Sequence, residues 1–172
     1  MAANAYLALD SNGLPTEVRG VQTSAGSGDV GKYPALNASG VLDTSFMPAG
    51  IGADSLSVLA SENIAAGDMV NVYNNSGTLN VRKADNTAAS RGKLCNGFAL
   101  SSITSGQSGT ITFSGIATGL SSLTPGTILF LGATGAVTAT PTTTPGNTLQ
   151  EVGFALSATT MKFKLGTPYL RA

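Results

Sequence analysis

From Leu56 onward, short runs of β-branched and aromatic residues alternate with glycine-rich turns, the pattern of an all-β barrel or sandwich. It predicts strands near Leu56–Ala60, Asp68–Tyr73, Thr78–Lys83, Gly97–Ser101, Gly109–Phe113, Thr127–Leu131, Ala136–Thr140, Glu151–Ser157 and Thr159–Leu165. Alternation is clearest in Met161-Lys162-Phe163-Lys164-Leu165, which puts the two lysines on a wet face and Met161, Phe163 and Leu165 on a dry one. The phenylalanines Phe98, Phe113, Phe130, Phe154 and Phe163 each sit inside an apolar run and are expected in the core.

The same pattern occurs twice. Gly97-Phe98-Ala99-Leu100-Ser101 returns as Gly153-Phe154-Ala155-Leu156-Ser157, and Ala66-Gly67-Asp68-Met69-Val70-Asn71-Val72-Tyr73 with its turn at Ser76-Gly77 matches Pro125-Gly126-Thr127-Ile128-Leu129-Phe130-Leu131 with its turn at Thr134-Gly135. Four features in one order define a duplicated supersecondary unit, with repeats over about 56–113 and 115–165. A unit of short strands cannot bury its apolar face alone, so the copies are expected to pack face to face. The loop Lys83–Lys93 is where the copies diverge in charge: Arg82, Lys83, Arg91 and Lys93 stand against Asp85 alone, whereas Pro141-Thr142-Thr143-Thr144-Pro145 is uncharged. This basic loop is either solvated surface or a partner-binding element facing an acidic surface.

Residues 1–53 read differently. Glycine, serine, asparagine and proline are scattered among isolated apolar residues with no helical or strand period. Tyr6–Leu9 is expected as a short strand turned back at Asn12-Gly13. Beyond it, Leu36, Val41, Leu42, Phe46, Met47 and Ile51 are too sparse to build a core and too many for a solvated linker. They read as partner-binding anchors on an extended N-terminal arm ahead of a β-domain spanning 54–172. Half-burial of these six on a partner would supply roughly 5 to 9 kcal/mol before ordering costs.

Composition narrows the function. Of 172 residues only 10% are charged and the net charge is zero, which gives no general attraction to nucleic acid or an anionic membrane and suggests a surface largely hidden in an assembly. No apolar stretch approaches the roughly 18 residues of a membrane span. Met1-Ala2-Ala3-Asn4-Ala5-Tyr6 does not read as a secretion signal, so assembly in a cytoplasm is expected. There is no histidine, which removes the commonest general base and metal ligand, and the single Cys95 permits no internal disulfide and is expected as a small buried hydrophobe.

Gly26-Ser27-Gly28-Asp29-Val30-Gly31-Lys32 formally fits a phosphate-binding loop, but no buried strand precedes it and Tyr33-Pro34 follows where a helix should begin. No paired carboxylates, calcium-type oxygen run or base for a serine nucleophile is present in the pattern. The expectation is no enzyme activity, no catalytic or metal residues and no cofactor.

Gly31-Lys32-Tyr33-Pro34-Ala35-Leu36-Asn37-Ala38-Ser39-Gly40-Val41-Leu42-Asp43-Thr44-Ser45-Phe46-Met47-Pro48 is similar to a segment near the amino termini of tailed-bacteriophage virion proteins. The stretch from Ala66 to Phe163 resembles the small duplicated β-domain of phage head decoration, or capsid cement, proteins. The resemblance implies a capsid-surface protein, frequently a homotrimer, that binds the major capsid protein across subunit junctions and secures the shell against the packaged genome. The neutral composition, for its part, leads us to expect no nucleic-acid or membrane partner. The rival reading is a tail-fibre or baseplate module that binds a receptor, which predicts exposed aromatics gathered at one loop end; Tyr73 alone lies beside a turn.

Overall fold

The structure, a computed structural model, describes residues 5–47, 54–90 and 92–172. The chain divides into two compact units, residues 1–52 and 53–172. The fold is all-β, and its helical elements among the described residues are single 3-10 turns.

The first unit carries one hairpin, β1 (Ala5–Leu9) with β2 (Pro15–Arg19), followed by 3-10 turns at Gly26–Asp29 and Thr44–Phe46. The hairpin connection is five residues rather than the two-residue Asn12-Gly13 turn expected, because the Asp10 carboxylate accepts hydrogen bonds from the amides of Asn12 (2.8 Å) and Leu14 (2.9 Å) and organises the whole loop. β2 escapes a periodicity reading because it opens on proline and is exposed or half-buried throughout. No described residue of this unit is buried.

The second unit contains the duplicated part. Strands β3 (Ser55–Ala60), β4 (Met69–Asn75), β5 (Thr78–Lys83), β6 (Gly97–Ala99) and β7 (Ser108–Thr112) close into a barrel in the order β3-β5-β4-β6-β7. Strands β8 (Gly115–Ala117), β9 (Ile128–Leu131), β10 (Val137–Thr138), β12 (Glu151–Ala155) and β13 (Met161–Phe163) form an open sheet in the order β10-β9-β12-β13-β8. Pairing β3 with β8, β4 with β9, β5 with β10, β6 with β12 and β7 with β13 makes the two orders identical. A further short pair joins β11 (Thr148–Leu149) to β14 (Tyr169–Leu170).

Equivalence extends to single bonds. The Gly67 amide donates to the Ala99 carbonyl at 2.8 Å as Gly126 does to Ala155 at 2.9 Å, and Ala99 donates to Asp68 at 3.1 Å as Ala155 does to Thr127 at 2.9 Å. The turns Ser76-Gly77 and Thr134-Gly135 both run through positive φ at both residues, which matches hairpin twist. Gly97 and Gly153 recur for one reason: a Cβ on Gly97 would lie 2.6 Å from the Thr112 carbonyl oxygen, and one on Gly153 would fall on the equivalent carbonyl of Lys162.

Barrel closure depends on strand length. β3 and β5 pair in parallel at Leu59↔Asn80 and Ala60↔Val81, whereas their counterparts β8 and β10 have only three and two residues and do not meet. The barrel interior holds Val58, Ala60, Ile64, Val70, Val81, Ala99, Ile103 and Ile111. A second core joins Met69, Ala84, Cys95 and Phe98 from the barrel's outside to Ala117, Leu129, Leu131, Val152, Ala155, Met161 and Phe163 from the open sheet.

The copies therefore pack back to front, not face to face. The open sheet uses the face that the barrel turns inward, since Leu129, Ala155 and Met161 match Val70, Ala99 and Ile111. The barrel's outer face fills the trough that missing closure leaves. One expected core residue is displaced by this arrangement: Phe154 is 39% exposed, although its counterpart Phe98 is fully buried. Phe113 and Phe130 are half-buried. Leu165, expected on the dry face, is exposed because β13 ends at Phe163 and the alternation stops there.

Candidate interaction surfaces

The apolar residues expected to act as anchors lie on turns held by local hydrogen bonds. Asn37 repeats the Asp10 arrangement, its side-chain oxygen accepting from the amides of Ser39 (2.9 Å) and Val41 (3.1 Å) while its own amide donates to the Val41 carbonyl at 2.9 Å. This loop brings Leu36, Val41 and Leu42 to one turn. Leu36 and Val41 are 52% and 56% exposed, and Leu42 is half-buried. Phe46, half-buried, sits on the second 3-10 turn, where Asp43 accepts the Ser45 amide at 2.9 Å; hydrogen bonds from Ser45 lower the Asp43 carboxyl below its ordinary range. Met47 is exposed, and Ile51 lies outside the described residues. The Val21 amide donates to the Tyr33 carbonyl at 3.0 Å and its carbonyl accepts from the Ala35 amide at 2.7 Å, and Tyr6 meets Tyr33 edge-on at 4.8 Å.

The glycine-rich segment forms the first 3-10 turn, and the Lys32 ammonium pairs with Asp29 at 2.8 Å. The Ala25 amide, followed by Lys32, holds the Asp29 carboxyl below its usual value. A lysine held this way is directed at its own loop.

The basic loop is tied into the second unit. Arg82 and Lys83 belong to β5 itself. The Arg82 guanidinium donates to Asn71 at 2.9 Å and stacks 4.0 Å above the Tyr73 ring, and Lys83 pairs with Asp68 at 3.1 Å. Lys93 is half-buried, its amide donating to the Ser90 carbonyl at 3.0 Å; Arg91 lies outside the described residues. The loop backbone bridges the two copies: Asn86 donates to Gly132 and accepts from Thr148, and the Ala88 amide donates to the Asn147 side chain. Deeper in, the buried Gln150 amide accepts from the Cys95 amide at 2.8 Å and donates to the Cys95 carbonyl at 3.0 Å, like one rung of a strand. Sequence pattern offers no sign of this role for Gln150, because a lone glutamine between turns reads as surface.

Cys95 is buried, as expected, and desolvation pushes its thiol up to about 12. Burial alone would raise the Asp85 carboxyl, but hydrogen bonds led by the Thr87 amide outweigh it and leave the group below its ordinary value. Among the described residues, no three of His, Cys, Asp and Glu cluster closely enough to hold a metal ion, and no helix is long and apolar enough to cross a membrane.

A row missed by the sequence reading crosses the open sheet's outer face. Register places Ile128 beside Phe154, Phe154 beside Lys162 and Lys162 beside Ile116. Ile128 and Ile116 are 50% and 52% exposed. The clue lay in the repeat itself, which required asking where each copy's second face goes.

No family model matches the chain, and no curated protein matches it. Among solved structures it is similar to the N base of head fiber gp8.5 of bacteriophage phi29, at 16% identity and a TM-score of 0.46, over 64% of this chain and 92% of that one.

Proposed function

We propose that the chain is a virion structural protein of a tailed phage, a decoration or cement protein that binds the outer capsid surface across major capsid subunits and stabilises the shell. The observation that carries this reading is the contrast between a β unit with two packed cores and an N-terminal unit with no buried described residue and with Leu36, Val41 and Met47 exposed. Apolar side chains held on ordered turns without a core gain most by burial on another protein. The resemblance of Gly31–Pro48 to virion segments supplies the kind of partner. Binding of this type is passive, needs no cofactor or turnover, and gains avidity from many copies on one shell.

Particles lacking the protein should then rupture at lower temperature, and adding back the chain should restore resistance. Leu36→Asp with Val41→Asp should abolish rescue while leaving the β unit folded. Unchanged particle stability with lost adsorption to the host would overturn the cement reading in favour of the fibre module.

A further inference from the structure

The sequence holds two Asn-Gly bonds, Asn12-Gly13 and Asn96-Gly97, and the fold gives them opposite surroundings. An asparagine followed by glycine is open to attack on its side-chain amide by the next backbone nitrogen, because glycine has no Cβ to block the approach. At Asn96 that approach is held shut. Its Oδ1 accepts the Val72 amide at 2.9 Å and the Asn71 side-chain amide at 3.1 Å, and Gly97 is buried in β6, with the Thr112 carbonyl oxygen 2.6 Å from where a Cβ would stand. Freeing Asn96 requires opening the barrel, which engages most of the stability of the β unit. Asn12 and Gly13 instead lie in the β1–β2 connection, both exposed, in a unit with no buried described residue. What restrains them is local: the Gly13 amide donates to the Asp10 carbonyl at 3.0 Å, and the Asp10 carboxylate accepts the Asn12 and Leu14 amides. Exposed bonds of this kind open at little cost.

We propose that Asn12 is a site of spontaneous deamidation, which alters the N-terminal unit and spares the β unit. The Gly13 amide nitrogen, once solvent base has taken its proton, bonds to Asn12 Cγ. The Cγ–Nδ2 bond breaks, and Nδ2 leaves as ammonia with a proton from water. Water then opens the resulting succinimide at either carbonyl, giving aspartate or isoaspartate. Both products put a carboxylate two residues from that of Asp10, and like charges repel. Isoaspartate also inserts a methylene into the backbone between the Asn12 and Leu14 amides that Asp10 holds. The Leu9↔Pro15 pair at the mouth of this loop therefore loosens, and β1 and β2 have no buried residue to hold them. Net charge moves from zero to one negative.

The chemistry needs no partner, so it is read on the isolated full chain and stands or falls apart from capsid binding. Protein held at neutral pH and body temperature, then digested and mapped by mass spectrometry, should accumulate aspartate and isoaspartate at Asn12 at least about 30-fold faster than at Asn96. In denaturant the two rates should converge, since no fold then separates the two bonds. Isoaspartyl methyltransferase should label the aged wild type and not aged Asn12→Gln. The aged fraction, separated by ion exchange, should show faster amide hydrogen exchange in β1 and β2 with β6 unchanged. Equal rates at Asn12 and Asn96 in the native protein, or a difference that persists in denaturant, would overturn the proposal. So would an aged fraction whose hairpin exchanges as the fresh protein does.

Discussion

The barrel and the open sheet share strand order, turn geometry and glycine positions, yet one closes on itself and the other does not. The difference begins at the edge strands. β5 runs six residues and meets β3, whereas β10 stops after two, shortly before Pro141 in a loop of uncharged residues. An unclosed sheet must still cover its inward face, and the barrel's outer Met69 and Phe98 do so. Two copies of one motif thus reach different burial at equivalent positions. Local sequence sets the strands, and edge length decides whether a sheet closes over its own inward face or has it covered by the outer face of its neighbour.

The comparison is broken most strongly at Phe98. Phe98→Ala should cost about 3–5 kcal/mol in chemical denaturation, and Phe154→Ala less than about 1. Next, Gly153→Ala should cost about 2–4 kcal/mol, since it combines a positive φ of 141° with a collision on the Lys162 carbonyl; Gly97→Ala meets the equivalent collision without positive φ and should cost less. Gln150→Leu should cost about 1–3 kcal/mol by leaving the Cys95 amide and carbonyl unpaired at the junction of the copies, and should expose Cys95 to thiol reagents that the native protein resists.

The smallest effect concerns acid. Asp85 has a folded pKa below its ordinary value of 3.8, so its contribution is present above that value and lost as pH falls through the folded pKa. Asp85→Asn should flatten the part of the acid-unfolding curve below about pH 4 that this group supplies, while leaving stability near neutrality governed by the retained acceptor oxygen.

Much of the β unit was legible because its determinants are local. Gly97 and Gly153, the paired turns and the alternation through Met161–Phe163 each record a constraint within one hairpin. The faces were not legible. Phe98 and Phe154 stand in identical local sequence, and only the failure of β8 to reach β10 separates a buried ring from an exposed one. Strands β11 and β14 were missed because two residues carry no period. The sparseness of apolar residues around Leu36 and Val41 singles them out in the sequence, but their gathering at one turn rests on the Asn37 side chain, which composition does not express. Arg82 and Lys83 read as loop charge because their partners Asn71, Tyr73 and Asp68 lie across a hairpin.

Back-to-front stacking of the two copies is tested most directly by solvent contact at equivalent rings. In the chain carrying fluorinated phenylalanine, a soluble nitroxide should broaden the fluorine resonance of Phe154 and leave those of Phe98 and Phe163 sharp. Equal protection of Phe98 and Phe154 would contradict the stacking, as would broadening of Phe98 in the folded protein.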